Sequence, residues 1–76
     1  MYYSKALHCH KDHHNSLFNR GFAYDKIGRY DDAIEDYTKA LAIEPKNAFA
    51  YYNRGISYDR KNYLDEAIYD FTKAIE

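Results

Sequence analysis

The amino-acid sequence predicts an all-α protein built from pairs of antiparallel helices that repeat along the chain. Shifting the 76 residues by 34 positions superposes Asn19-Arg20-Gly21 on Asn53-Arg54-Gly55, and the agreement continues through the residues that follow. Within each unit, apolar and small residues recur three and four positions apart in two separate stretches, which is the spacing of a helix face. Two helices in each unit of this length indicate a stack of equivalent units.

The N-terminal stretch joins the repeat in the middle of a unit. Tyr3-Ser4-Lys5-Ala6-Leu7 aligns with Tyr37-Thr38-Lys39-Ala40-Leu41, which belongs to the second helix of the next unit. We call the first helix of a unit its A helix and the second its B helix. Residues 1–13 are therefore expected to hold the B helix of a partial unit, near Tyr2 to His10, followed by a turn within His8 to His14.

The first complete unit is expected to span residues 14–47. Gly28 follows the apolar face of its A helix, and glycine readily adopts the left-handed conformation that ends many helices. Asp31 and Asp32 come next, where acidic side chains favour the positive N-terminal end of a helix dipole. The sequence therefore predicts a tight turn between the A and B helices.

The second unit is expected to span residues 48–76. Pro45 lacks a backbone N–H and disfavours helical geometry at Glu44, so the preceding B helix should end there. Asn47 is a good side-chain cap for a helix that starts near Ala48. Asn62 replaces the turn glycine of the first unit, and the sequence stops before the position equivalent to Pro45.

Both units carry one set of fixed positions, which are Leu17-x2-Arg20-Gly21-x2-Tyr24, Ala33-x3-Tyr37, Ala40 and Pro45, and then Tyr51, Gly55, Tyr58, Ala67, Phe71 and Ala74. This set resembles the signature of the tetratricopeptide repeat. The resemblance implies antiparallel helix pairs stacked as a right-handed α-solenoid, with two repeats and an N-terminal half-repeat. Two departures stand out: Leu17 and Tyr51 replace the usual tryptophan, and Lys11 stands where a proline is expected.

The resemblance also implies a groove that binds a peptide or protein partner, because the A helices of this family line its concave face. The residues that match the family's groove positions are Asn15, Phe18, Asn19, Phe22, Asp25 and Lys26, and then Phe49, Tyr52, Asn53, Ile56, Asp59 and Arg60. The apolar members would contact partner side chains, and the asparagines would hydrogen-bond an extended backbone. Alternatively, single aromatic rings are buried between neighbouring A helices.

Some members of the family bind acidic C-terminal tails of heat-shock chaperones in a clamp of Lys, Asn and Arg. Asn19 and Asn53 match the asparagine of that clamp, but neutral side chains, among them Asn15, Phe18 and Phe49, hold its basic positions. Neutral side chains cannot neutralise a pair of carboxylates. We therefore do not expect a chaperone tail as the partner.

One segment, from His8 to His14, has the side chains that bind zinc. His10 and His14 would lie one turn apart in a helix, but the repeat alignment predicts a turn there. Cys9 aligns with Ile43, and a small apolar packing role explains it. We therefore expect no resident metal and no cofactor, with at most an adventitious site formed by His8, Cys9, His10, His13 and His14.

Net charge, the length of apolar runs and the cysteine count exclude some classes of function. The formal net charge is −1 with both signs interspersed, so no single-sign field would recruit nucleic acid. No apolar run is long enough for a membrane span. Because Cys9 is the single cysteine, no intramolecular disulfide can form, and we expect an intracellular, cytoplasmic protein.

No motif for catalysis is present, since the sequence lacks a glycine-rich phosphate loop and a recognisable nucleophile. The acidic pairs Asp31-Asp32, Glu35-Asp36 and Asp65-Glu66 are expected on the solvated surface near helix starts. The sequence therefore predicts a non-enzymatic scaffold that binds a protein partner.

An alternative is that these repeats are structural spacers of a longer solenoid whose exposed ends mediate homo-oligomerisation. Tyr2, Tyr3 and Leu7 would lack a partner helix at one end, and Phe71 and Ile75 would lack a following helix at the other. Each repeat buries its apolar face against its neighbours, so such ends favour self-association.

Overall fold

The computed structural model describes the backbone of residues 8–76 and the side chains of residues 13–76. These residues form four helices and no strand: α1 (His8–Lys26), α2 (Tyr30–Ile43), α3 (Ala48–Arg60) and α4 (Leu64–Ile75). Helix α1 packs on α2 and α3 packs on α4, while α3 also contacts α2 and α1. The all-α fold of stacked helix pairs is confirmed.

Helix α1 starts earlier than the sequence predicted. We expected a turn between helices within His8 to His14, but the chain is helical from His8 onward, so that prediction is wrong. The physical reason is that Lys11 stands in place of the proline, and no proline or glycine interrupts residues 8–20. Most of the helix expected near Tyr2 to His10 lies outside the described residues, and the unit boundary after residue 13 stays a prediction.

Equivalent turns join the helices of each pair. Gly28 has a φ of +86° and Asn62 a φ of +66°, so both adopt the left-handed conformation. Asparagine is one of the few non-glycine residues that tolerate it. The N–H of Arg29 then donates to the carbonyl of Tyr24 at 2.8 Å, and the N–H of Tyr63 donates to that of Tyr58 at 2.9 Å. The predicted turn at Gly28 is confirmed.

The connection between the two pairs is also as predicted. Pro45 lies between the end of α2 and the start of α3. The Asn47 side-chain oxygen accepts from the N–H groups of Phe49 at 2.9 Å and Ala50 at 3.2 Å. These two bonds satisfy donors that would have no partner in the first turn of α3, and α3 starts at Ala48 as expected.

Glycines allow close contact between the helices of each pair. A Cβ added at Gly21 would lie 3.0 Å from Cε1 of Tyr37, and one added at Gly55 would lie 2.8 Å from Cε1 of Phe71. The Tyr37 ring is almost fully buried, and burial raises the pKa of its hydroxyl above the ordinary value. Small residues therefore lie where the helices approach closely, as the sequence predicted.

The core of each pair contains an arginine–aspartate ion pair. Asp36 accepts from Nε and Nη2 of Arg20 at 2.7 and 2.9 Å, and Asp70 accepts from the same atoms of Arg54 at 2.8 Å each. Both carboxylates are buried. The expectation that Asp36 lies on the solvated surface is therefore wrong, because a bidentate arginine replaces its water.

Candidate partner-binding surface

The residues predicted to line the groove lie on the A helices, α1 and α3, and follow one face of each. On α1 they are spaced by three or four residues from Asn15 to Lys26, and on α3 from Phe49 to Arg60. This spacing keeps side chains on one side of a helix. Only Asp25 among these residues is buried.

Asp25 links the two A helices and is not free to meet a partner. Its carboxylate accepts from the Ser57 hydroxyl at 2.9 Å and lies 3.7 Å from Nε of Arg60. Both Asp25 and Ser57 are buried. The interpretation of Asp25 as a groove residue is therefore corrected: its buried carboxylate helps to hold α3 against α1.

The apolar candidate residues differ in exposure. Phe22 is 44 %, Tyr52 52 % and Phe49 73 % exposed, which is unusual for rings of this size. Phe18 and Ile56 are half-buried. The alternative of rings fully buried between the A helices therefore does not describe any of these four rings.

Two of the rings are held in place by the B helices. The Phe18 ring lies 5.7 Å from that of Tyr37, and the Tyr52 ring lies 5.7 Å from that of Phe71, centroid to centroid. Edge and tilted contacts of this kind stabilise aromatic pairs. Phe18 and Tyr52 therefore each contact an aromatic ring of the B helix in their own pair.

Polar and charged groups surround the rings. Asn15 and Asn19 are exposed, whereas an amide hydrogen of Asn53 donates to the Phe49 carbonyl at 2.8 Å within its own helix. The Lys26 ammonium lies 4.9 Å from the centre of the Phe22 ring, within the range of a cation–π contact. The surface can thus offer apolar contact, amide hydrogen bonds and positive charge.

His14 is the one member of the predicted metal cluster that is buried among the described side chains, and both of its ring nitrogens are engaged. Its Nδ1 lies 3.1 Å from the Ala40 carbonyl oxygen, and its Nε2 lies 2.8 Å from the Asn47 amide nitrogen. The amide donates, so Nε2 accepts and Nδ1 carries the proton. His14 therefore helps to fasten α1 to the start of α3.

Of the other cluster members, His13 is the one whose side chain the structure describes. His13 is exposed, and the side chains of His8, Cys9 and His10 lie outside the described residues. Among the side chains that the structure describes, no group of three His, Cys, Asp or Glu could hold a metal ion.

Arg54 makes contacts that were not predicted from the sequence. Beyond its ion pair with Asp70, Nη1 of Arg54 donates to the Thr38 hydroxyl at 3.1 Å, which joins α3 to α2. The hydrogen bond to Asp70 raises the pKa of Arg54. The ion pair with Asp70 could have been predicted from the sequence, because Arg20 and Asp36 recur together as Arg54 and Asp70.

Comparison with known proteins agrees with this geometry. A tetratricopeptide-repeat family model matches residues 14–47, and a second one matches residues 36–69. No curated protein matches the chain. Among the described residues, no helix combines the length and the apolar character that a membrane crossing requires.

Thirteen chains of solved structures match as well. One is titled "Crystal structure of MamA" and is 37 % identical, with a TM-score of 0.79. The match covers 82 % of this chain but 36 % of that one, so the chain spans about a third of the length of that relative.

Proposed function

Because the chain belongs to the tetratricopeptide-repeat family it is a protein-interaction scaffold, and we propose that α1 and α3 hold a peptide or helix of a partner protein. The observation that carries this proposal is the group of exposed rings, Phe22, Phe49 and Tyr52, on two helices that pack side by side. Exposed apolar groups of this kind mark interaction sites more often than isolated ones do.

The surface suits a short amphipathic segment. Apolar partner side chains would contact the rings, and Asn15 and Asn19 would bond to the partner backbone or its polar groups. Lys26 and Arg60, at the far end of the two helices, would attract acidic partner side chains. Because the A helices are already fastened by Asp25 and Ser57, little ordering would be needed on binding.

The proposal includes a non-enzymatic role in the cytoplasm, without nucleic acid as a partner. Repeats of this family generally bind proteins, and the candidate surface offers rings, amides and cations suited to that task. The lone Cys9 and the balanced charge fit an intracellular protein that binds another protein.

The experiment starts from peptides selected against the wild-type chain from a random display library. Binding of the selected peptides is then measured by calorimetry for Phe22→Ala and Phe49→Ala, with folding checked by circular dichroism. We expect each substitution to weaken binding roughly tenfold or more, as truncation of an interface anchor does, while the helical spectrum persists because both rings are exposed.

Tyr69→Ala is the matched control, since Tyr69 is also an exposed ring but lies on α4. It should leave the affinity unchanged. Equal affinity for all three variants and the wild type would refute binding at the A helices.

A further inference from the structure

We propose that the hydrogen bonds of His14 make the contact between α1 and the start of α3 sensitive to pH. The contact holds while the imidazole ring is neutral and is weakened when the ring takes up a second proton. This inference goes beyond the proposed function, because it concerns the stability of the helix stack and needs no partner protein.

Backbone groups fix the positions of the protons around His14. The Asn47 side-chain oxygen accepts from the N–H groups of Phe49 and Ala50. Its amide nitrogen is therefore the atom that faces the ring, 2.8 Å from Nε2 of His14. On the other side of the ring, the Ala40 carbonyl can only accept, and its oxygen lies 3.1 Å from Nδ1. Nδ1 therefore carries the proton and Nε2 accepts, which is one tautomer of the neutral ring.

A second proton on His14 has no acceptor in this arrangement. It would sit on Nε2 and point at the N–H groups of the Asn47 amide, so that a hydrogen bond would become a contact between two donors. His14 is 6 % exposed, which leaves little room for water to replace the lost bond. A buried charge without a partner is costly. The folded arrangement therefore favours the neutral ring.

The Asn47 amide cannot relieve this conflict by turning over. Turning would present its oxygen to the protonated ring, but the N–H groups of Phe49 and Ala50 would then lose their acceptor. Loss of such a cap destabilises a helix. Protonation of His14 therefore costs either the bond between α1 and Asn47 or the cap of α3.

Two charged side chains lie near the ring, and their charges are opposite. Glu44, after the end of α2, and Lys46, in the connection to α3, line the same cleft as His14, and both are exposed to solvent, which screens their charges. On α1 the neighbouring His13 is exposed, and the first turn of α3 has no acidic side chain. The positive N-terminal end of α3 lies on the side of Nε2, whereas the negative end of α2 meets Nδ1, which is protonated in both states.

The expected consequence is a loss of stability on acidification. The unfolded chain can protonate His14 freely, and stability decreases as the pH falls wherever the unfolded state binds more protons. Between pH 7.5 and 5.5, the equilibrium constant of unfolding should rise about tenfold more for the wild type than for His14→Gln, which is the effect of one histidine that takes up its proton only after unfolding. Urea denaturation at each pH measures this constant, and the comparison of the two proteins removes the effect of the other titrating groups.

Asn47→Asp should reverse the trend. A carboxylate at this position can cap α3 with one oxygen and accept from a protonated Nε2 with the other. Relative to His14→Gln, its equilibrium constant of unfolding should therefore fall between pH 7.5 and 5.5. If His14→Gln does not fold, the opposite trends of the wild type and Asn47→Asp provide the test.

His13→Gln is the matched control, since His13 is exposed beside His14 on the same helix, and it should keep the pH dependence of the wild type. In addition, the nitrogen chemical shifts of the labelled wild type at pH 7.5 should show a proton on Nδ1 of His14 and none on Nε2. The proposal is overturned by a proton on Nε2 at that pH, by equal pH dependence of the wild type and His14→Gln, or by a rise for Asn47→Asp as steep as that of the wild type. None of these results bears on peptide binding by the A helices.

Discussion

Asp36 and Asp70 are both buried, and each forms an ion pair with an arginine. Removing a carboxylate from water is costly, and each of these two recovers that cost through two hydrogen bonds from an arginine. The two arginines differ in their surroundings: the Arg54 side chain is 14 % exposed, and that of Arg20 is much more so. The second pair should therefore matter more for stability.

This difference gives a prediction at the residue scale. Asp70→Asn should lower the free energy of unfolding by about 3 kcal/mol, because it leaves Arg54 buried without its counter-charge. Asp36→Asn should cost less, since water can reach Arg20. Both are measured by urea denaturation.

Asp65→Asn is the control, since Asp65 is exposed in the first turn of α4, and it should change the free energy of unfolding by no more than about 0.5 kcal/mol. If Asp70→Asn costs no more than this control, the buried ion pair does not stabilise the fold in the way described.

At the scale of the elements, the two helix pairs are alike in design but not in how tightly they are packed. Gly21 faces Tyr37, which is almost fully buried, and the backbone carbonyl of Ala33 also lies nearby. Gly55 faces Phe71, which is half-buried and has room to move. A side chain added at the two glycines should therefore meet different resistance.

Gly21→Ala should lower the free energy of unfolding by about 1–2 kcal/mol. Overpacking against a ring that cannot move costs about 1–3 kcal/mol and exceeds the gain of up to about 1 kcal/mol from replacing a helical glycine. Gly55→Ala should cost less, although its Cβ would start closer to the ring, because Phe71 can swing aside. Thermal and urea unfolding compare the two; a larger loss for Gly55→Ala would contradict this view of the packing.

Sequence periodicity was sufficient to predict the helices, their turns and the cap at Asn47, because each depends on residues close in the chain. The start of α1 was not predicted, since the repeat alignment assigned a turn to a stretch that has no residue to break a helix. The burial of Asp36 and Asp25 was also missed. Their partners, Arg20 and Ser57, come from other helices, and local sequence does not show which charges face each other after packing.

For the candidate surface too, the features set by local sequence were predicted and those set by packing were not. The family positions fall on one face of α1 and one face of α3, because helical spacing alone determines a face. That this face binds a partner stays a prediction. The family positions did not show that Asp25 links the A helices or that Asn53 bonds to its own backbone. The Asp25 contact depends on how one helix pair sits on the other, which the sequence of a single unit does not specify.

At the scale of the whole molecule, the fold depends on the contact between the two helix pairs. His14 and Asn47 join at one end of the A helices, Asp25 and Ser57 join nearer the other, and Arg54 reaches Thr38 between α3 and α2. These links hold the A helices side by side and so create the proposed binding surface. The stability of the fold and the proposed binding surface both depend on one repeated arrangement of helices.

The most direct test of that arrangement is a nuclear Overhauser spectrum of the labelled chain at low concentration. Cross-peaks are expected between Gly21 and the Tyr37 ring, and between Gly55 and the Phe71 ring, within the pairs. A third set is expected between the β protons of Asp25 and Ser57, across the pairs. If the first two sets appear without the third, the helix pairs fold but do not stack, which would contradict the account.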